Sequence, residues 1–581
     1  MTNANTEAAN PSITDTIQSL IVGFVLAMTV RAFVCEGFVI PTGSMAPTLL
    51  GRHVAIRSPQ TGTVFPVGVD ARIGDDRFRG FMDRVADPWL GIEFPGSGVR
   101  SGQMPHPRSG DRILVHKSLY LLKNPARYDV VVFKNPTNPL GEDGNYIKRL
   151  VGLPGETVWL VDGDVFTAPT GDDTGDLGLM IREAESLRSR AGQNPSNRDA
   201  LRGQAEMLEA RIRDIVSGFQ IQRKPDHVQR AIWQPFADAE RRPRRLESLE
   251  GVWHGGGWVG EGWTMGDDGV ARAHGTDPAQ LEWEPRVRMV NDWAPYNQLT
   301  SPMSRNNVFT VADVRVSATV TPDDASLDLV FQLHARRHVF EFIVRDGGVM
   351  LRMRSADWDD EFPDEGWEGL EAAVPFRGFR AGRPVNLEFW HVDQRMAVYI
   401  GGRLAAEYMY DWDPAERLEH AVGRGDLRET AAAASNRPVQ MRWVTSGSPV
   451  SLQRLRIDRD VHYRFDRLMV EAARRNPTQE GYRSKVDEAV YAHGTHPDNL
   501  AVLQHDQFFM LGDNSAASSD SRLWGNPHPI VAEQVDRAPY VVHRSLILGK
   551  AWVVYFPSPI PVQETGRRNV IPDFGSMRFI R

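Results

Sequence analysis

Cysteine is almost missing from this chain: among 581 residues there is one, Cys35. No intrachain disulfide can form, which excludes a disulfide-stapled scaffold and a zinc site built on cysteines. A basic excess is missing too. The 67 Lys and Arg against 75 Asp and Glu leave a net charge of -8, whereas a nucleic-acid partner needs a clustered basic face. The 16 histidines fall in no HExxH motif, and the chain has no GxSxG elbow. His334 and His338 are four apart, but they stand in an alternating segment where that spacing makes no metal face, and they read as ordinary strand residues. The acidic run from Asp357 to Glu365 lacks EF-hand spacing and reads as a solvated loop rather than a calcium site.

Charge is also absent from Thr16 to Val30, and no Lys or Arg occurs before Arg31. A cleavable signal peptide wants a basic start. The apolar character resumes through Ala32, Phe33 and Val34, so a helix from 13 to 35 can cross a bilayer with Arg31 at the interface. This predicts an uncleaved anchor; the alternative is a buried amphipathic helix. Arg31 and Arg52 lie after the span and taken alone would favour a cytoplasmic C-terminal side.

The remainder is mainly β. SGDRILVHK (109–117), YDVVVFKNP (128–136) and NYIKRLVGLPGETVWLVDGDVF (145–166) have the β-branched density of strands, the last with tight turns. Residues 61–108, rich in Gly, Pro and Asp, read as an irregular insertion. Leu201, Ala205, Leu208, Ile212 and Ile215 recur at helical spacing, and with Pro195 before them predict a helical hairpin. From 246 to 465 alternation takes over, as in Val314, Val316, Ala318 and Val320, then Leu327, Leu329, Phe331 and Leu333. Such strands imply a β-sandwich. The run FWHVDQRMAVYIGGRLAAEYMYDW (389–412) resembles a hairpin of laminin-G or concanavalin-like jelly rolls, folds that host binding, structural and enzymatic roles alike.

VIPTGSMAPTLL (39–50) sets Ser44 between Gly43 and Met45, and a serine is a weak nucleophile without an adjacent base. This stretch resembles the nucleophile box of type I signal peptidases, the Ser/Lys-dyad leader peptidases. SGDRILVHK, YDVVVFKNP, NYIKRLVGLPGETV, MLGDNSAASSDSRLWG (510–525) and GKAWVVYFP (549–557) resemble that family's later segments in the right order. The resemblance covers roughly 13–166 and 505–560. It implies Ser44 as nucleophile and Lys148 as base, a role that needs burial to lower a lysine pKa from about 10.4. It implies Thr42 as a side-chain donor to the oxyanion beside the Ser44 N–H, Ser518 as a hydroxyl bonded to the lysine amine, Asp520 with Arg522 as an ion pair, and Asp513 as a loop-fixing carboxylate. Ser515, Ala516 and Ala517 stand where the family more often has polar or charged residues. Phe38, Ile40, Met45, Leu49, Tyr146 and Ile147 fall where the family contacts substrate in shallow pockets suited to small side chains at positions -1 and -3.

The implied whole is a membrane-anchored peptidase, without metal or organic cofactor, that removes signal peptides from secreted preproteins on the extracytoplasmic side. Its expected partners are those preproteins and membrane lipid, with an unknown ligand open for the sandwich. The predicted layout is a tail (1–12), anchor (13–35), first core part (36–166), hairpin and linker (167–245), jelly-roll-like sandwich (246–465), linker (466–504), second core part (505–560) and tail (561–581). A guest domain whose ends meet on an exposed loop is tolerated, so the sandwich is expected to be an independent binding or scaffolding module, and removal of 167–500 is expected to leave cleavage intact. Three other readings stand beside this one. They are an anchored binding protein with an inactive protease core, a Ser-Lys self-cleaving repressor, which would carry a DNA-binding helix-turn-helix where this chain has an apolar span, and a β-rich surface protein with chance motifs.

Overall fold

The computed structural model describes residues 13–69, 85–91, 93–94, 107–140, 144–171, 173–241, 257–299, 308–356, 366–370, 373–423, 425–433, 435, 437–465, 491–561, 570–571 and 573–581. The acidic run 357–365, most of the 61–108 stretch and residues 466–490 of the predicted linker lie outside them. A helix over Ile13–Thr29 continues through a π-helical turn, Val30–Val34, straight into the strand Cys35–Val39. Thr16–Val34 is long and apolar enough to cross a bilayer, with none of its hydropathic window buried in the protein. That exposure, including Leu20, Phe24 and Leu26, removes the alternative of a helix packed in the core.

The strands that follow close one mixed-order sheet. Its order is Cys35–Val39, Arg112–His116, Ile547–Phe556, Val130–Lys134, Asn145–Gly152, Gln507–Leu511 and Val542–His543, with Arg578–Phe579 added on Ile547–Phe556. Strands from both ends of the chain therefore interleave, and every pair along this order is antiparallel. A smaller sheet runs Gln220–Ile221, Asp164–Pro169, Glu156–Val161 and Ala501–Val502. The last strand lies in the predicted 466–504 linker yet pairs Ala501 with Val158. The helical hairpin forms as expected, Leu177–Gln193 and Arg198–Ser217, with the break at Pro195–Asn197.

Between the two core parts stands the sandwich. One sheet centres on Val450–Arg459, Val314–Pro322 and Val385–Val392, the other on Gln440–Ser446, Asp328–Ala335 and His338–Arg345. Alternate side chains meet between them: Phe331 stacks on Phe389 at 5.2 Å, with Trp443 edge-on to Phe331 at 5.3 Å. Burying rings of this size contributes several kcal/mol apiece, about 3–5 by truncation. The first strand of this domain, Gln234–Asp238, precedes the predicted boundary at 246 and pairs with Val450–Arg459 through a bulge next to Pro235.

The sandwich is not a loosely tethered guest. Asp162 and Asp164, in the core hairpin Glu156–Pro169, meet Arg336 and Arg417 of the insert: Arg336 Nε donates to Asp162 at 2.7 Å and Arg417 donates to Asp164 at 2.5 Å. Asp313 joins both arginines, at 2.7 and 3.3 Å. These groups are almost wholly removed from water. Removing one partner of such a buried pair costs about 3–5 kcal/mol because it strands a charge, so the insert and the core are joined by buried ion pairs as well as by the chain.

Candidate active site

Residues 40–50 form a turn between two anchors. Ile40 N–H donates to Asp111 O at 2.9 Å, and Leu50 N–H to Asp111 Oδ2 at 3.1 Å. Met45 and Leu49 are 0% exposed and pack with Ile40, Ile113, Val115, Val130 and Ile147. Ser44, between these apolar pins, is 7% exposed. Opposite it runs the strand Asn145–Gly152, paired on one side with Val130–Lys134, Val131 facing Lys148. On the other side it pairs with Gln507–Leu511, Leu511 facing Arg149.

This sheet brings Lys148 Nζ to 2.7 Å from Ser44 Oγ across 104 residues of sequence. The amine also lies 3.1 Å from Ile147 O and is 3% exposed. Burial disfavours the ammonium and pushes Lys148 down to about 8; the carboxylates of Asp520 and Asp513 work against this and the Arg522 guanidinium with it. At pH 7 the neutral fraction thus rises from about 1 in 3,000 at the unperturbed pKa to about 1 in 10.

Both acids are held by arginines. Arg149 grips Asp513 through two bonds of 2.7 Å and also donates to Tyr128 O and Arg581 O. Asp520 accepts from Arg522 Nε and a terminal nitrogen at 2.9 and 2.8 Å and from Gly512 N–H at 3.1 Å. Arg522 reaches Ser515 Oγ at 2.9 Å, and Arg464 N–H donates to the same oxygen at 2.8 Å. The 3₁₀ turn Ser515–Ala517, where the sequence departs from the family pattern, is braced in this way.

Ser518 behaves differently from the expectation. It is 0% exposed, and its Oγ has no hydrogen-bond partner, so the bond to Lys148 is not formed. A Cβ on Gly512 would stand 2.2 Å from that Oγ and 2.5 Å from Ser44 O, which is why only glycine fits where the two loops meet. Thr42 is exposed, and the Ser44 N–H makes no hydrogen bond to the described residues. Of the expected substrate contacts, Phe38 and Tyr146 are half-buried, whereas Met45 and Leu49 are interior. Ile40 and Ile147 share the Met45 cluster; Tyr146 packs on Phe133 and Trp524 instead.

Three neighbours of Ser44 carry no role in the sequence reading: Asn514 stands inside the 510–525 segment, and Asn297 and Tyr296 in no motif. Asn514 N–H donates to Ser44 O at 3.0 Å and its side-chain amide to Gly43 O at 2.8 Å. Asn297 and Tyr296 come from the insert: Asn297 pairs with Asn514, and the Tyr296 hydroxyl donates to Arg52 O at 3.2 Å. The segment NDWAPYNQL that carries them is a break in the alternation, and nothing in its spacing points to a loop more than two hundred residues away. Asp164, Asp393 and Asp460 place carboxylate oxygens within 4.8 Å of one another, a set able to face a cation. The Lys224 ammonium already bridges Asp393 and Asp460, and Arg417 holds Asp164.

Residues 96–195 and 453–556 match the family described as signal peptidase, peptidase S26. Lys148 falls in the first segment and Asp513, Ser518, Asp520 and Arg522 in the second; Ser44 stands upstream of both. Signal peptidase I of Rickettsia bellii is 26% identical over 180 residues, covering 31% of this chain and 48% of that protein. Signal peptidase I of Pseudomonas aeruginosa is 36% identical over 110 residues, covering 15% of this chain and 38% of that protein. The chain thus spans less than half the length of these relatives. Among solved structures, a carbohydrate-binding module from Bacillus subtilis is similar with a TM-score of 0.20 and 9% identity, over 35% of this chain and 95% of that one. Two family segments in order, separated by residues 196–452, and relatives that share them make this chain similar to the signal peptidases of the peptidase S26 family.

Proposed function

We propose that this protein is a membrane-anchored serine endopeptidase that removes signal peptides from secreted preproteins, with Ser44 as nucleophile and Lys148 as general base. The observation that carries the reading is the 2.7 Å approach of a buried amine, lowered to about 8, to the Ser44 hydroxyl. Neutral Lys148 takes the Oγ proton as Oγ attacks the scissile carbonyl. The resulting oxyanion is received by the Ser44 N–H with Thr42 beside it; such a donor is typically worth about 2.7–4 kcal/mol. Lys148 then protonates the leaving amine, and in the second half it deprotonates the water that hydrolyses the acyl-enzyme.

The substrate adds as an extended strand beside Phe38, Ile40, Tyr146 and Ile147, with small residues at -1 and -3 fitting the shallow surface that these side chains leave. The exposed apolar helix Thr16–Val34 holds the enzyme at the bilayer where such precursors emerge, with the catalytic domain on the extracytoplasmic side. The test is cleavage of a precursor peptide with Ala at -1 and -3 by Ser44→Ala and Lys148→Ala. Both are expected to lose at least about a thousandfold in kcat; cleavage by both at the unaltered rate would end the dyad assignment.

A further inference from the structure

We propose that the inserted domain is a working part of the protease: Asn297, acting through Asn514, aims the backbone N–H of Ser44 that receives the oxyanion. The inference rests on the Ser44 reading above. Asn514 is the only bridge it needs. Its side-chain amide has two N–H donors and one strong acceptor, and every one is used: one N–H goes to Gly43 O at 2.8 Å, the other to Asn297 Oδ1 at 2.7 Å, and Oδ1 accepts from Asn297 Nδ2 at 2.7 Å. Both asparagines are buried. The reciprocal pair fixes which end of the Asn514 amide faces Gly43, since the flipped amide would set two oxygens against each other.

Gly43 C=O and Ser44 N–H are the two ends of one planar trans peptide unit. Holding the carbonyl therefore directs the N–H to the opposite side, and the Asn514 N–H on Ser44 O, at 3.0 Å, holds the next unit. Tyr296 completes the clamp. Its ring fills the space against Gly43 and Gly68, where a Cβ would come within 2.1 and 2.4 Å of it, and its hydroxyl is tied to Arg52 O. The same 3₁₀ turn, Pro295–Leu299, also binds the core through Gln298, which donates to Ala86 O at 3.1 Å. The insert therefore acts as a positioning element: Asn297 touches neither substrate nor the reacting atoms.

The test uses the full-length protein in detergent and the substitutions Asn297→Ala and Asn297→Asp. The aspartate keeps the volume but offers an oxygen to Asn514 Oδ1 in place of a donor, and a native circular dichroism spectrum and elution volume select the folded variants to be assayed. A misaimed oxyanion donor is expected to lower kcat about 10- to 100-fold, with KM within about threefold and the acid limb of the pH profile unmoved. Affinity for a peptide boronic acid should fall in parallel with kcat/KM. In that adduct a Ser44 Oγ lone pair fills the empty boron orbital while the Oγ proton passes to Lys148, leaving a tetrahedral anion. Affinity for a non-cleavable peptide of the same sequence should stay constant. Wild-type kcat and boronate affinity in Asn297→Asp would overturn the proposal, as would a parallel loss of affinity for both peptides. If the unaltered protein cleaves no precursor peptide, the Ser44 reading falls and this proposal with it; if it cleaves and Asn297→Asp cleaves equally, this proposal alone falls.

Discussion

Activity should switch on with pH through the titration of Lys148. The amine must be neutral to accept the Ser44 proton, and burial sets its pKa at about 8. The acid limb of kcat/KM reports the free enzyme, so it should inflect near pH 8 with a slope of one. About 9% of the plateau is expected at pH 7 and about 1% at pH 6. Asp520 supplies a test of sign. Its carboxylate works against burial and raises the lysine pKa, while Arg522 lowers it. Asp520→Asn removes the first and leaves the second, so the limb should move to lower pH, on the order of one unit, even as the loss of the buried ion pair destabilises the fold by about 3–5 kcal/mol. The assay is kcat/KM for a precursor peptide from pH 5.5 to 9.5 at constant ionic strength, each variant normalised to its own plateau so that folded fraction cancels. A limb near 10 in the unaltered enzyme, or one that rises in pH on Asp520→Asn, would refute the electrostatic account.

Gly43→Ala places a methyl where the enclosed Tyr296 ring cannot yield, and should lower kcat at least about tenfold; Tyr296→Ala in the same chain should restore part of it, and a double variant no better than Gly43→Ala would contradict the clash. Ser518→Ala deletes a buried hydroxyl with no partner, so stability should hold or rise by up to about 1 kcal/mol in denaturant unfolding, whereas a drop of more than about 1 kcal/mol would mean the hydroxyl is satisfied. Because the folded pKa of Lys148 lies below its unfolded value, the unfolded chain binds the extra proton between pH 8 and about 10.4. Its contribution to stability therefore rises with pH across that window, by about 3 kcal/mol in all, and the penalty is fully present below pH 8; Lys148→Met should flatten the rise, measured by urea midpoints.

Long elements with one strong period were readable in advance. The apolar N-terminal helix, the helical hairpin broken at Pro195 and the alternating strands Val314–Pro322 and Asp328–Ala335 follow from charge-free length, helical spacing and period-two alternation. Short strands were not readable. Gln234–Asp238 carries a proline and a bulge, and Ala501–Val502 has two residues, so neither shows a period; their pairing is decided by distant partners. The site divides in the same way. Ser44, Lys148 and the Asp513 and Asp520 ion pairs sit in local motifs, whereas Asn297 and Tyr296 reach the nucleophile through tertiary packing alone. The Ser518 bond was expected from the motif and is absent, because side-chain direction depends on the loop that Gly512 lets close.

The grip of Arg149 on Asp513 joins residues 364 apart in the chain. At about 5–20 residues per second, the ribosome makes the arginine roughly 20–70 s before the aspartate. During that interval Ser44 and the lysine strand are already synthesised while the loop that covers them does not yet exist. The loop carrying Asp513 thus closes on the Arg149 strand only after the whole intervening domain has been made, a delay built into the order of translation.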